Sequence, residues 1–234
     1  MRQVILDTET TGLDPAKGHR LTEIGCLEMV NRRLTGCKFH TYINPEREIE
    51  KEASAITGLT LEFLSDKPKF SEIAHQFLEF LQYPSTELII HNAPFDLGFL
   101  NYELSLINHP WSPLERYLSV IDTLVVARSL HPGQRNNLDV LCKRYNIDNS
   151  HREYHGALLD AELLAKVYLA MTAGQTSMRL SEVESSSLEA SQATTINIKK
   201  VQRNRSPLVI IRATEEECKI HEERLAELQA RTKN

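Results

Sequence analysis

The sequence predicts an α/β fold: a central mixed sheet flanked by helices, followed by a flexible C-terminal tail. Three observations predict it. Val4, Ile5 and Leu6 form a continuous apolar run, the pattern of a strand buried on both faces. From Phe70 onward, short apolar strands alternate with segments whose apolar residues recur at helical spacing. Gln175 to Arg205 is rich in Ser, Thr, Glu, Gln and Asn and has no aromatic residue, so it buries too little to offset the entropy of ordering. The 234 residues, 41% of them hydrophobic, suffice for one sizeable core and an appendage. The expected organisation is a folded domain at 1–173, a flexible linker at 174–206 and a tail segment at 207–234.

Each element has its own signal. Asp7 and Glu9 close the first strand, and Gly12 lets the chain turn. Leu21 to Val30 reads as a second strand, Arg32 and Arg33 as a turn, and Cys37 to Ile43 as a third strand, so the chain begins as an antiparallel meander. Pro45 opens a connection. Ser54 to Gly58 and Thr60 to Leu64 suggest short helical pieces broken at Gly58. Phe70, Ile73, Ala74, Phe77, Leu78 and Leu81 predict a helix that Pro84 ends. Glu87 to His91 is a short strand. Asn92 is suited to cap the next helix, and Pro94 is tolerated in its first turn, where an N–H would lack a helical partner. That helix runs through Phe99, Leu100, Glu103, Leu104 and Ile107. Val120 to Thr123 restarts regular structure, and a helix through Leu124, Val125, Ala127 and Leu130 ends at Pro132-Gly133. Asn137 caps a short helix bearing Leu138, Leu141 and Tyr145, and Asp122 and Asp139 also read as caps. Residues 148–155 are polar and loop-like. The strongest helix follows Gly156 and stops near Gly174. In the tail, Leu208 to Ile211 is strand-like, Thr214-x-x-Glu217 is a capping-box pattern, and residues 215–231 suit a charged helix.

Basic side chains number 27 and acidic ones 32, for a formal net charge of -5. That argues against a protein gripping long nucleic acid by counter-ion release, but not against one that handles a single strand end with cations held at its site. Cys26, Cys37, Cys142 and Cys218 lie far apart with no C-x-x-C pair, which suggests neither a zinc site nor a disulfide framework. Reduced thiols in a cytoplasm are the simple reading. Asp7 and Glu9 interrupt the only apolar run at the N-terminus, against a signal peptide, and no apolar stretch approaches transmembrane length, so no membrane partner is expected.

Alternate residues of a strand point the same way, so Asp7 and Glu9 project from one face. Carboxylates so placed repel unless a cation lies between them, and such oxygen ligands suit Mg²⁺ or Mn²⁺. Alone, D-x-E fits a turn cap equally well. Downstream, Asp96 opens a helix at the carboxyl end of a strand, the edge where α/β sheets gather functional groups. Asp160 lies in the first turns of the strongest helix, and His155 precedes it in polar loop. Four acids and one histidine can thus reach one sheet edge. His151 and His155, four apart, would make a zinc pair only on a helix, and Asp148-Asn149-Ser150 argues against one.

Taken in order, D-T-E-T-T-G at 7–12, H-N-A-P-F-D at 91–96 and H-G-A-L-L-D at 155–160 resemble the three motifs of the DEDDh family of 3′→5′ exonucleases, over about residues 1–173. The sister class, with Tyr four residues before the last acid, does not match: Gly156 stands there, and Tyr154 is wrongly spaced. The resemblance implies a ribonuclease-H-like exonuclease fold acting on the 3′ end of DNA. It implies hydrolysis with two divalent ions, Mg²⁺ or Mn²⁺, roughly 3.5–4 Å apart in enzymes of this kind. On that likeness Asp7 bridges both ions, Glu9 and Asp160 hold the one that activates water, and Asp96 supports the pair. Neutral His155 is the general base, since an unperturbed pKa near ~6.5 suits that task. The resemblance also implies substrate contacts from Thr10, Gly12, Leu13, His91 and Asn92, beside Asp7, Glu9, His155 and Asp160.

The likeness is closest to family members that proofread for a replicative polymerase. Gln175 to Leu180 resembles a short sliding-clamp-binding peptide, with Gln175, Ser177, Met178 and Leu180 as contacts; its Arg179-Leu180 ending departs from the usual aromatic one. Leu208 to Arg231, within the 207–234 tail, resembles a segment that binds the polymerase catalytic subunit, and a small accessory subunit is a further partner the likeness allows. Two other readings use the same residues: a related exonuclease trimming RNA or oligonucleotides, and an adaptor tethering polymerase to clamp. A free trimming enzyme has no need of linker and tail, which favours proofreading. A frayed mismatch costs less to unpair, so selection for errors requires no base-specific contacts.

Overall fold

The computed structural model describes residues 1–81, 86–150 and 154–173, together with the single positions Glu216, His221 and Arg224. Strands β1 (Arg2–Thr10), β2 (Leu21–Val30), β3 (Arg33–Tyr42), β4 (Thr86–Ile90) and β5 (Ser119–Asp122) form one sheet in the order β3-β2-β1-β4-β5. The first three strands are an antiparallel meander, whereas β4 runs parallel to β1 and β5 parallel to β4. The helices are α1 (Lys51–Thr57), α2 (Leu61–Leu64), α3 (Phe70–Leu81), α4 (Ala93–Leu106), α5 (Thr123–Leu130), α6 (Leu138–Arg144) and α7 (Ala157–Thr172). This is the mixed, helix-flanked sheet that the sequence predicts.

β1 is the central strand, and its alternation divides the core. Val4 and Leu6 join Ile24, Cys26, Leu88 and Ile90 against Phe70, Phe77, Phe99 and Leu100 of α3 and α4. Ile5 joins Leu27, Met29 and Ile89 against Leu141, Leu163, Leu164 and Val167 of α6 and α7. Each such buried side chain contributes about 1.5–3 kcal/mol by leaving water. A two-nitrogen clasp joins α4 to the start of β2: Arg20 Nε and Nη2 donate to the two carboxylate oxygens of Glu103, each at 2.7 Å. Glu103 is 1% exposed, and the clasp raises the Arg20 pKa.

Several boundaries differ from the sequence reading for physical reasons. β3 begins at Arg33 rather than Cys37, because Asn31 and Arg32 both take positive φ and make a two-residue hairpin turn. Arg33 to Lys38 is exposed throughout, so no apolar face announces the strand. Asn92 stands at the start of α4 but does not cap it: its φ is 65° and its side chain makes no capping bond. Asp139 is the second residue of α6 rather than its cap; Asn137 takes that role by accepting from Val140 N. Asp139 instead accepts from Asn149 Nδ2 at 3.1 Å. Asp122 does cap α5, through Leu124 N.

By contacts the chain divides into two units, Met1–Arg179 and Leu180–Asn234. Glu216, His221 and Arg224 are helical and exposed. Pro84, His151, the clamp-like peptide 175–180, the strand-like run from Leu208 and Cys218 lie outside the described residues. Among the described residues, no helix is long and apolar enough to cross a membrane.

Candidate active site

The face of β1 that carries Ile5 also carries Asp7 and Glu9, while Thr8 continues the opposite face behind Leu6. Asp7 stands opposite Gly25 in the ladder, and Glu9 opposite Glu23. Gly25 determines what can lie above them. A Cβ there would come within 2.4 Å of Ala157 C and Leu158 N, so the first turn of α7 rests directly on this glycine. That seating brings Asp160, 4% exposed in the same first turn, over the face bearing the two strand acids.

His155 approaches from the loop before α7. Its backbone N–H donates to Ile56 O at 3.0 Å, which ties the loop to α1, and its Nδ1 lies 3.4 Å from Asp160 Oδ2. Its side chain is 43% exposed, as a group that must reach solvent requires. Ligand atoms of Glu9, His155 and Asp160 all lie within 4.8 Å of one another.

Asp96 reaches the same strand end from the other side of the sheet. It sits in the first turn of α4, 3% exposed, and accepts a 2.7 Å hydrogen bond from Thr8 Oγ1. Burial pushes its carboxyl up to about 7, with the Thr8 bond and backbone donors pulling the other way. Cys26 reports on the same convergence: burial raises its thiol pKa first, and Asp7 and Asp96 both add to the rise. Two carboxylates from opposite faces therefore act on one thiol beneath the strand.

Beside the acids lies a cavity of about 410 Å³ lined by Glu9, Thr10, Gly12, Leu13, Ile56 and Phe95, among others. Its rim is built by the 10–13 turn. Thr10 Oγ1 donates to Gly12 O at 2.6 Å, and the buried His19 ring packs so close to Gly12 that a Cβ would meet it at 2.4 Å. His19 in turn contacts Thr11 Oγ1 at 3.1 Å and Glu50 Oε1 at 3.1 Å. Leu13 is left 81% exposed on this pinned turn, a large apolar side chain offered to whatever enters.

His91 and Asn92 follow β4, the neighbour of β1. His91 Nδ1 lies 2.9 Å from Thr123 Oγ1, and Asn92 N–H donates to Asp122 Oδ1 at 3.0 Å. Burial lowers the His91 pKa, and the nearby Arg128 charge lowers it further, against Asp122 and a bond with the Asn136 backbone.

The sequence reading did not name Thr8, Gly25, Glu23 or the α1 wall of the cavity. Thr8 was within reach, since strand alternation aims it away from its acidic neighbours. Glu23 is 3% exposed and bonded to His40 Nε2 at 2.7 Å, a cross-strand pairing that needs the register to be seen. The donor set of Asp7, Glu9 and Asp160 carboxylates with an imidazole suits a hard divalent cation, and a buried Asp96 carboxyl resisting ionisation is a group that such a charge would satisfy.

An exonuclease family model matches residues 4–168. The DNA polymerase III subunit epsilon of Escherichia coli K12 is 48% identical over 228 residues, covering 96% of this chain and 92% of the relative. The corresponding subunit of Rickettsia felis is 50% identical over 231 residues, covering 97% of each. Among solved structures, exonuclease X in complex with 5′ overhanging duplex DNA superposes with a TM-score of 0.58 at 24% identity, covering 74% of this chain and 92% of that one. An Escherichia coli exonuclease I complex with single-stranded DNA gives 0.65 at 20% identity, covering 74% and 41%.

Proposed function

The chain belongs to the exonuclease family, and from that premise we propose that it is the 3′→5′ proofreading subunit of a bacterial replicative DNA polymerase. It is a hydrolytic exonuclease, and we assign as its substrate the mismatched 3′ end of a primer. The observation that carries the site assignment is the convergence of Glu9, His155 and Asp160 at the end of β1, beside Asp7 and with Asp96 held by Thr8.

In this reading Asp7, Glu9, Asp160 and Asp96 would hold two Mg²⁺ or Mn²⁺ ions. Such ions, when bound, make water a nucleophile at neutral pH and stabilise the charge that grows on the leaving 3′ oxygen. His155 takes the proton of the attacking water. Asp160 Oδ2, 3.4 Å from Nδ1, stabilises the imidazolium that forms. The terminal base enters the cavity beside Glu9, where exposed Leu13 packs on it and Ile56 and Phe95 supply further apolar wall. The rigid 10–13 turn, held by His19 and Glu50, fixes where that base stops. A paired end must unpair to enter, so a mismatched end enters preferentially. Residues 175–180 serve the sliding clamp and 207–234 the polymerase catalytic subunit, and the enzyme works in the cytoplasm where the chromosome is copied.

The test is release of mononucleotides from a 3′-mismatched primer by the full chain, with Mg²⁺, with Mn²⁺ and with chelator. Chelation is expected to abolish release, and His155→Ala to lower kcat by about 10²–10⁴-fold while the fold is kept. Undiminished turnover by His155→Ala, or by Asp7→Ala with Glu9→Ala, would overturn the assignment.

A further inference from the structure

A second cavity adjoins the same sheet edge, on the β5 side. It holds about 530 Å³ and is lined by His91 and Asn92, by Arg128 of α5 and by Gln134 to Asn137 of the loop entering α6. Its character is opposite to that of the first: polar groups and two guanidinium groups replace Leu13, Ile56 and Phe95.

The loop that forms this cavity is built rather than floppy. Arg144 of α6 donates Nη1 to Asn136 Oδ1 at 2.8 Å, and Nη2 to Gln134 Oε1 and Arg135 O, each at 2.9 Å. Asn136, 6% exposed, also donates to the carbonyls of His131 and Gln134. One arginine is thus consumed in shaping the loop, while Arg128 and Arg135 lie exposed at the cavity. Among the described residues, neither guanidinium group has a hydrogen-bond or ion-pair partner. Arg128 is close enough for its charge to act on His91. Asn92 contributes to the wall with a side chain that its left-handed backbone withholds from capping α4.

We propose that this cleft binds the phosphodiester backbone of the strand 5′ to the bond being cut, with Arg128 and Arg135 as phosphate contacts. The inference rests on the exonuclease reading above and extends it. If the terminal base occupies the apolar cavity and the cut phosphate lies at the acids, the preceding phosphates leave the acidic edge on the side of β4 and β5. There they meet the two arginines. A chain of net charge -5 with clustered acids repels a polyanion, so local cations on the entry path determine whether the strand is held. The cleft offers charge without a base-reading constellation, as sequence-independent proofreading needs.

The test uses the full chain, Arg128→Ala with Arg135→Ala, and two substrates. One is a 3′-mismatched primer. The other is the p-nitrophenyl ester of thymidine 5′-monophosphate, which has no second phosphate. The double variant is expected to raise KM for the primer about tenfold at low salt with kcat kept, lowering the primer-to-ester ratio of kcat/KM by the same factor. Its slope of log kcat/KM against log salt should flatten by about one. Lysine at both positions should restore most of the loss. An unchanged primer KM and salt slope in an active double variant would overturn the cleft alone. Equal losses on ester and primer would overturn it also, by moving the arginines into the chemistry. A wild-type chain that cleaves neither substrate would instead overturn the exonuclease reading on which the cleft depends.

Discussion

Gly25→Ala offers the sharpest test of how the site is assembled. The new Cβ would stand 2.4 Å from Ala157 C and Leu158 N and 2.5 Å from Ala157 O. All three are backbone atoms, so no side chain can swing aside. Ordinary contact begins about 1 Å further out, so the first turn of α7 must lift from β2 by roughly that amount. Overpacking of this kind costs about 1–3 kcal/mol, which leaves a protein of ordinary stability folded. The larger effect is on chemistry. Asp160 and His155 move with α7, whereas Asp7 and Glu9 stay with β1, and a 1 Å misplacement of reacting groups costs about 10²-fold in rate. Gly98→Ala is the control: it lies in the same protein's α4, where a Cβ would meet only Pro15 Cγ at 3.9 Å, and it should be neutral or stabilising by up to about 1 kcal/mol. The assay is kcat on a 3′-mismatched primer at saturating Mg²⁺, with far-UV dichroism and a urea midpoint on each variant. A Gly25→Ala protein within threefold of wild type and with an unmoved midpoint would refute the seating of α7 on this glycine.

Other consequences follow from buried groups. The Asp96 carboxyl is raised in the fold from 3.8 to about 7, so between those values the folded state binds more protons than the unfolded one. Without metal, stability should therefore fall as pH rises through that window, by up to about 1.4 kcal/mol per pH unit; Asp96→Asn should flatten the slope in urea melts done in chelator. Thr8→Val removes the bond that holds this carboxyl down, and a carbon-13 titration of Asp96 should move upward. Arg20→Ala strands the Glu103 carboxylate in the core and should cost about 3–5 kcal/mol by urea melt, whereas Glu103→Gln should cost less.

Periodicity made most of the fold legible. Helices such as α3 and strands such as β1 and β2 have an unambiguous buried stripe, and their limits follow from it. β3 was shortened because half of it has no buried face, so its pairing depends on a turn whose two positive-φ residues are not glycines. Asn92 misled for a related reason: Asn is both a good cap and a residue tolerant of left-handed backbone, and only the second property is used. The acids and His155 were legible because they come in three ordered motifs. The groups that position them were not, since Thr8 to Asp96, Gly25 to α7 and Arg144 to the 134–136 loop are meetings of residues distant in sequence or of backbone with backbone.

The need for a cation can be argued from the fold itself. Asp96 and Asp160 both lie in first turns of long helices, where the helix dipole favours a carboxylate by about 0.3–1 kcal/mol. Thr8 adds a neutral hydroxyl bond to Asp96. Those aids still leave the Asp96 carboxyl pushed up to about 7, so desolvation outweighs dipole and hydroxyl together. The remaining buried acid of α4, Glu103, is satisfied differently, by both nitrogens of the Arg20 fork. The same helix thus treats two carboxylates in opposite ways: one is neutralised within the chain, the other is kept short of positive charge at the sheet edge. A divalent ion reaching that edge gains the binding energy that an internal arginine would have used up. The acid-side stability of the metal-free protein and its demand for metal at neutral pH then have one cause, the under-compensated charge of Asp96.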